Sequence, residues 1–151
     1  MEILFGRHDA ASLTNLLGLQ PLEIGFQDCP PGHAFGPAIR EGYLLHFIFS
    51  GQGTFRRNGK TSQLAHGEGF LIRAGDLVQY EADRTDPWTY GWILLSGMHT
   101  EAFFHPCGLD GNDDTFRFDP VRTGSDCFQT FLSMKHWQAG RDLSMLSAVL
   151  R

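Results

Sequence analysis

Hydrophobic and polar positions alternate along much of the chain, and the pattern is densest from Tyr43 to Gly97. There Tyr43-Leu-Leu-His-Phe-Ile-Phe-Ser meets a Gly51-Gln-Gly53 corner, a short run follows, and Asn58-Gly59 turns the chain again. Asn-Gly between β-prone runs predicts a hairpin, because both residues tolerate the positive φ of a type I′ turn. Leu64-Ala-His-Gly67-Glu-Gly69, Phe70-Leu-Ile-Arg-Ala74-Gly75-Asp76 and Pro87-Trp88-Thr-Tyr90-Gly-Trp92-Ile-Leu-Leu continue the series. Short strands punctuated by glycine in this way predict a meander that closes into a small barrel.

Two of these strands are apolar on both faces. From about Ile39 to Phe49, Tyr43, Leu45, Phe47 and Phe49 share one parity, and Leu44, His46 and Ile48 share the other. With no bulge at Gly42, Arg40 falls on the face of His46. After Pro87, Trp88, Tyr90 and Trp92 lie on one side and Thr89, Gly91 and Ile93 on the other. A strand apolar on both sides is covered on both sides, so something packs outside the barrel.

The flanks are less regular. Residues 1–20 read as a lead-in, with a short helix or a docked arm at 12–18, and Leu22 to Gln27 alternates as a strand ended by Cys29-Pro30-Pro31-Gly32. Residues 98–104 have helical composition, 108–114 are turn-rich, and Phe116-Arg-Phe118 is extended. From Ser125 the period becomes helical, with Cys127, Phe128, Phe131, Leu132 and Met134 in one broad stripe. Gly140 and Asp142 punctuate a second helix that aligns Leu143, Leu146 and Leu150. That stripe is cut at Arg151, which reads as part of a longer protein.

The totals narrow the classes. A chain of 151 residues, 42% hydrophobic and 13% aromatic, suits one folded globular domain. A net charge of −5 argues against this stretch gripping nucleic-acid phosphates itself. Cys29, Cys107 and Cys127 form no Cys-x-x-Cys pair, so reduced thiols are expected rather than a disulfide framework or zinc knuckle. The start lacks a signal peptide's basic and apolar regions, and no apolar run approaches the ~20 residues of a membrane span. A soluble cytoplasmic protein with no membrane partner is expected.

A barrel of this kind raises the question of a metalloenzyme. Cupin enzymes supply a His-x-His pair, a carboxylate and a further His as an N/O site for iron or manganese. Here His46 is followed by Phe47 and Ile48. In the frame of the second cupin motif, Gly67 to Val78, Arg73 stands in place of proline and Val78 in place of the metal-binding His. No catalytic residue, metal or cofactor is therefore expected. What remains is Arg40, His46, Tyr80, Tyr90 and Trp92, which combine flat aromatic faces with directional polar groups. Such a mix suits a polar small molecule, sugars above all, because rings cover a pyranose C–H face while Arg and His satisfy its hydroxyls. The alternative is that Trp88 and Trp92 are core and Arg40 a solvated edge residue.

Together, Tyr43-Leu-Leu-His46-Phe-Ile with Gly51-x-Gly53, Leu64-x-x-Gly67-x-Gly69-Phe-Leu-Ile, Tyr80, and Pro87-Trp88-x-Tyr90-x-Trp92-Ile-x-x-Ser96-Gly97 carry a resemblance. Over about residues 18–97 the chain resembles the amino-terminal, cupin-like ligand-binding and dimerisation domain of the AraC/XylS family of bacterial transcription regulators. The resemblance implies a sensor in which a small molecule, often a sugar, occupies the barrel and changes how a dimer presents its DNA-binding domains. Positions similar to Gln20, Tyr80, Tyr90 and Trp92 contact ligand in sugar-responsive members, and Arg40 lies near a ligand-binding arginine. The apolar residues Phe128, Phe131, Leu132, Leu143, Leu146 and Leu150 would supply the dimer interface.

The expectation is thus a mainly β (α+β) chain. Residues 1–105 form a cupin-like double-stranded β-helix or jelly-roll barrel with an amino-terminal arm, and 106–151 form helices that dimerise. The function expected is sensing of an effector, a sugar or glycoside, with DNA reached only through a helix-turn-helix domain absent from this chain. The rivals are a small cupin enzyme, such as a sugar isomerase or dioxygenase, and a barrel filled by its own side chains that only dimerises.

Overall fold

The structure is a computed structural model that describes residues 2–4, 20–96, 100–104, 109 and 111–118. Its strands are β1 (Glu2–Leu4), β2 (Gln20–Asp28), β3 (Ala34–Ile39), β4 (Tyr43–Ser50), β5 (Gln52–Arg57) and β6 (Lys60–Ala65). They continue as β7 (Glu68–Ile72), β8 (Leu77–Ala82), β9 (Thr89–Ser96) and β10 (Thr115–Arg117), with one short helix, α1 (Thr100–Phe104), before β10. Two antiparallel sheets result, one ordered β1-β2-β9-β4-β7-β10 and the other β3-β8-β5-β6. The chain crosses repeatedly between them, which makes the barrel a jelly roll of the cupin kind.

The expected hairpin forms at Asn58-Gly59, where φ values of 47° and 83° match the tight turn, and it joins β5 to β6. The expected continuous strand from Ile39 to Phe49 does not form. Ile39 ends β3 in the four-stranded sheet, Tyr43 begins β4 in the other, and residues 40–42 make the corner between them. A crowded Gly42, whose absent Cβ would meet Leu94 at 2.7 Å, sits in that corner. The lead-in also contributes a strand, since β1 pairs with β2. The helix or arm expected at 12–18 lies outside the described residues, as do Phe128, Phe131, Leu132, Leu143, Leu146 and Leu150.

Strand parity divides the apolar residues into two cores. Leu44 and Ile48 of β4, Phe70 and Ile72 of β7, and Trp88 face inward against Phe55, Val78 and Tyr80 of the other sheet. Leu45, Phe47, Leu71, Ile93 and Leu95 face outward, where Phe104, Leu109, Phe116 and Phe118 cover them. The cover that a two-faced strand requires is therefore α1 together with residues 109 and 111–118, the described part of the expected helical segment 106–151.

This cover is pinned to β7 and to the turn after it. Arg73 is buried, and its guanidinium donates to Glu101 Oε1 (3.0 Å), the Asp113 carbonyl (3.1 Å) and the Leu109 carbonyl (2.8 Å). Arg57 pairs with Asp76 at 2.6 Å and lies 3.7 Å from the buried Asp114 carboxylate. Gly69 makes room for Phe116 against β7, since a Cβ there would fall 2.2 Å from that ring. Arg73, which replaces the expected proline, is thus a structural clamp.

Arg73→Met should cost about 2–3 kcal/mol in urea unfolding, because the buried Leu109 carbonyl and the part-buried Asp113 carbonyl lose their donor. Glu101→Gln should cost under about 1 kcal/mol, since Glu101 is half exposed and screened. Equal costs would remove the carbonyls from the explanation.

Candidate ligand-binding site

The inner faces of β4 and β9 meet in a fixed register, with His46 opposite Trp92 and Ile48 opposite Tyr90. That register brings His46, Tyr90 and Trp92 onto one wall, and Tyr80 of β8 approaches from the other sheet. His46 is the hub. Its ring stacks on Phe70 at 4.3 Å and lies 5.1 Å from Tyr80, 5.0 Å from Tyr90 and 6.3 Å from Trp92. Tyr90 meets Trp92 edge to face at 5.8 Å.

Arg40 reaches this group from the corner between β3 and β4. Its guanidinium lies 4.0 Å over the Phe35 ring, which stacks on Tyr80 at 5.0 Å. Among the described residues, Arg40 Nε is buried without a hydrogen-bond partner, and so is His46 Nδ1. Buried polar atoms are nearly always satisfied, so two orphans in one aromatic site mark a place for a partner.

The polar side of the site comes from β2. Gly25 lies opposite Trp92, and a Cβ at Gly25 would fall 1.9 Å from the indole, so the ring rests directly on the strand backbone. Trp92 Nε1 donates to Glu23 Oε1 at 2.8 Å. Tyr90 donates a long hydrogen bond of 3.4 Å to Gln27, whose amide lies 3.2 Å from His33 Nε2.

Protonation favours binding over chemistry. Burial, with Arg40 nearby, holds His46 down to about 3, so the ring is neutral at physiological pH. Burial raises both Tyr80 and Tyr90, which stay protonated. Burial also pushes the Cys29 thiol up to about 11, leaving it a poor nucleophile. None of these groups is poised to exchange a proton near pH 7. Around His46 stand aromatic rings, and Val78 is core, so the donor set does not fit a metal. Among the described residues no cluster of three His, Cys, Asp or Glu side chains forms.

Four residues picked from sequence, His46, Tyr80, Tyr90 and Trp92, thus meet around one centre, and Arg40 joins through Phe35, which stacks on Tyr80. Gln20 opens β2 opposite Ser96, farther along the strand from Trp92 than Glu23. Trp88 takes the alternative role of core: it is fully buried, and it stands against Phe70 and Tyr90. Glu23, Gln27, His33 and Phe35 were not singled out from sequence. The alternation of Glu23, Gly25 and Gln27 on one face of a recognised strand was the available signal.

Residues 20–122 match the AraC-like ligand binding domain. The chain belongs to that family. Its relatives include the Msm operon regulatory protein of Streptococcus mutans, 42% identical over 85 residues, which are 56% of this chain and 31% of that protein. The raffinose operon transcriptional regulatory protein RafR of Pediococcus pentosaceus is 36% identical over 84 residues, 54% of this chain and 30% of that protein. The lactose operon transcription activator of Staphylococcus xylosus is 29% identical over 87 residues, 58% of this chain and 31% of that protein. The match thus spans less than a third of each relative's length. All three are operon regulators, and the alternative of a small enzyme has no counterpart among them. The solved structure of YhaK from Escherichia coli shares the fold, with a TM-score of 0.52 at 17% identity over 67% of this chain and 44% of that one. The AraC-like domain is a ligand-binding one, which makes a small-molecule effector the partner of this barrel. No helix among the described residues is long and apolar enough to cross a membrane.

His46 supplies a pH test. Its folded value near 3 lies below the ordinary 6.5, so between these values the unfolded chain binds the extra proton. Stability contributed by neutral His46 is complete above about pH 6.5 and is lost as pH falls toward 3, by up to about 1.4 kcal/mol per pH unit. Urea unfolding of His46→Leu should show a shallower acid limb; the wild-type slope in that variant would acquit His46.

Proposed function

We propose that this AraC-like domain is the sugar sensor of a bacterial transcription regulator. The observation that carries the reading is the pair of buried, unpartnered polar atoms, Arg40 Nε and His46 Nδ1, set among the flat faces of Tyr80, Tyr90 and Trp92. A pyranose presents C–H faces to aromatic rings and hydroxyls to such atoms, satisfying both at once. Two relatives are named for the lactose and raffinose operons, and both sugars are uncharged oligosaccharides with a galactosyl unit. An uncharged sugar of that kind is the effector proposed here, with Arg40, His46, Tyr80, Tyr90 and Trp92 as its contacts and Gln20 at the rim.

The regulator would act as a cytoplasmic homodimer, joined through Phe128, Phe131, Leu132, Leu143, Leu146 and Leu150. It would reach DNA through a helix-turn-helix domain outside these 151 residues. The net charge of −5 accords with DNA contact being made elsewhere. Leu146→Glu should raise the dimer dissociation constant at least about tenfold in sedimentation, as burial of a charge at an apolar interface demands; an unchanged dimer would move the interface elsewhere.

The deciding experiment is a thermal-shift series with lactose, raffinose, galactose and glucose-based oligosaccharides. A ligand at 100 times its Kd adds about 2.7 kcal/mol to the folded state. That is a rise of about 5–11 °C in Tm for a chain of this length. Trp92→Ala should stay folded and lose the response. Silence of the wild type across the panel, with intact folding, overturns the sugar reading.

A further inference from the structure

We infer that Glu23 determines the charge class of the ligand: it accepts hydroxyl hydrogen bonds from an uncharged sugar and turns anionic sugars away. The inference rests on the sugar-sensing reading and goes beyond it by assigning a residue and a discrimination. Its basis is the geometry of the Trp92 rim. The indole rests on Gly25 and donates its Nε1–H to Glu23 Oε1 at 2.8 Å, so the carboxylate is held at the edge of the ring. Trp92 thus holds one oxygen of that carboxylate. Glu23 is half-buried on β2, in the sheet opposite the one that carries Tyr80.

A sugar stacked on an indole places its hydroxyls around and beyond the rim of the ring. Each hydroxyl both donates and accepts. Arg40 can only donate, and an ionised carboxylate can only accept, so the two complement each other toward a polyol. Hydrogen bonds to an ionised group are about twice as strong as neutral ones. Arg40 alone would also welcome a sugar phosphate or a uronate. Glu23 opposes that attraction, because a second anion beside a partly desolvated carboxylate is repelled.

The test compares galactose, lactose and raffinose with galactose 6-phosphate, by calorimetric titration of the intact protein and two variants. Glu23→Gln keeps an oxygen for the Trp92 N–H and removes the charge. It should bind the uncharged sugars about tenfold more weakly, the loss of one charge-assisted hydrogen bond. It should also narrow their preference over galactose 6-phosphate by at least about tenfold. Glu23→Asp, which keeps the charge and shortens the reach, should bind more weakly yet retain the preference. Affinities within twofold of wild type in Glu23→Gln overturn the inference while leaving the sugar reading intact. So does an equal loss for neutral and anionic sugars, or loss of the preference in Glu23→Asp. A wild type that binds none of the four compounds overturns the inference together with the reading beneath it.

Discussion

The pairing of β4 with β9 is the constraint on which the site and its cover both depend. Side chains in a strand alternate between faces, so a slip of one residue would exchange the two sets. In the observed register, His46, Tyr90 and Trp92 face the barrel interior, while Leu45, Phe47 and Ile93 face α1 and the segment leading to β10. A slipped β4 would put His46 under the apolar cover and drive Phe47 into the binding wall. Apolar burial on both faces penalises either error, which makes the register unusually well specified.

Burial on both faces also links the ligand site physically to the outer cover. β7 carries Phe70 on its inner face, stacked on His46, and Leu71 on its outer face, where the backbone N–H donates to the Asp114 carbonyl at 2.8 Å. Arg73 follows at the end of the same strand and grips the cover through Glu101, Asp113 and Leu109. One strand therefore touches the hub of the site and the segment packed outside it.

The candidate site lacks groups poised for chemistry. A histidine buried among four rings is kept neutral by desolvation, and tyrosines held protonated offer hydrogen bonds without reactivity. The cupin scaffold often houses a metal; here Ile48 stands where the second His of a His-x-His pair would be, and Val78 stands in place of a further His. Scaffold and function are separable in that sense: the barrel supplies a two-walled interior, and the side chains projecting into it decide its use.

Sequence alone was enough for the barrel, the Asn58-Gly59 hairpin, the two-faced strands and the inward set His46, Tyr90 and Trp92, because each follows from short-range periodicity or turn chemistry. It also carried the family, through motifs at linked spacings. It did not reveal the break at residues 40–42, since a corner between sheets interrupts no apolar run when both flanking strands are apolar. Nor did it reveal Glu23 as the partner of Trp92, or Arg73 as the clamp on the cover. Those contacts join residues 69 positions apart in one case and 36 in the other. Alternation shows which face a side chain takes; only the closed barrel decides which distant side chain it meets there.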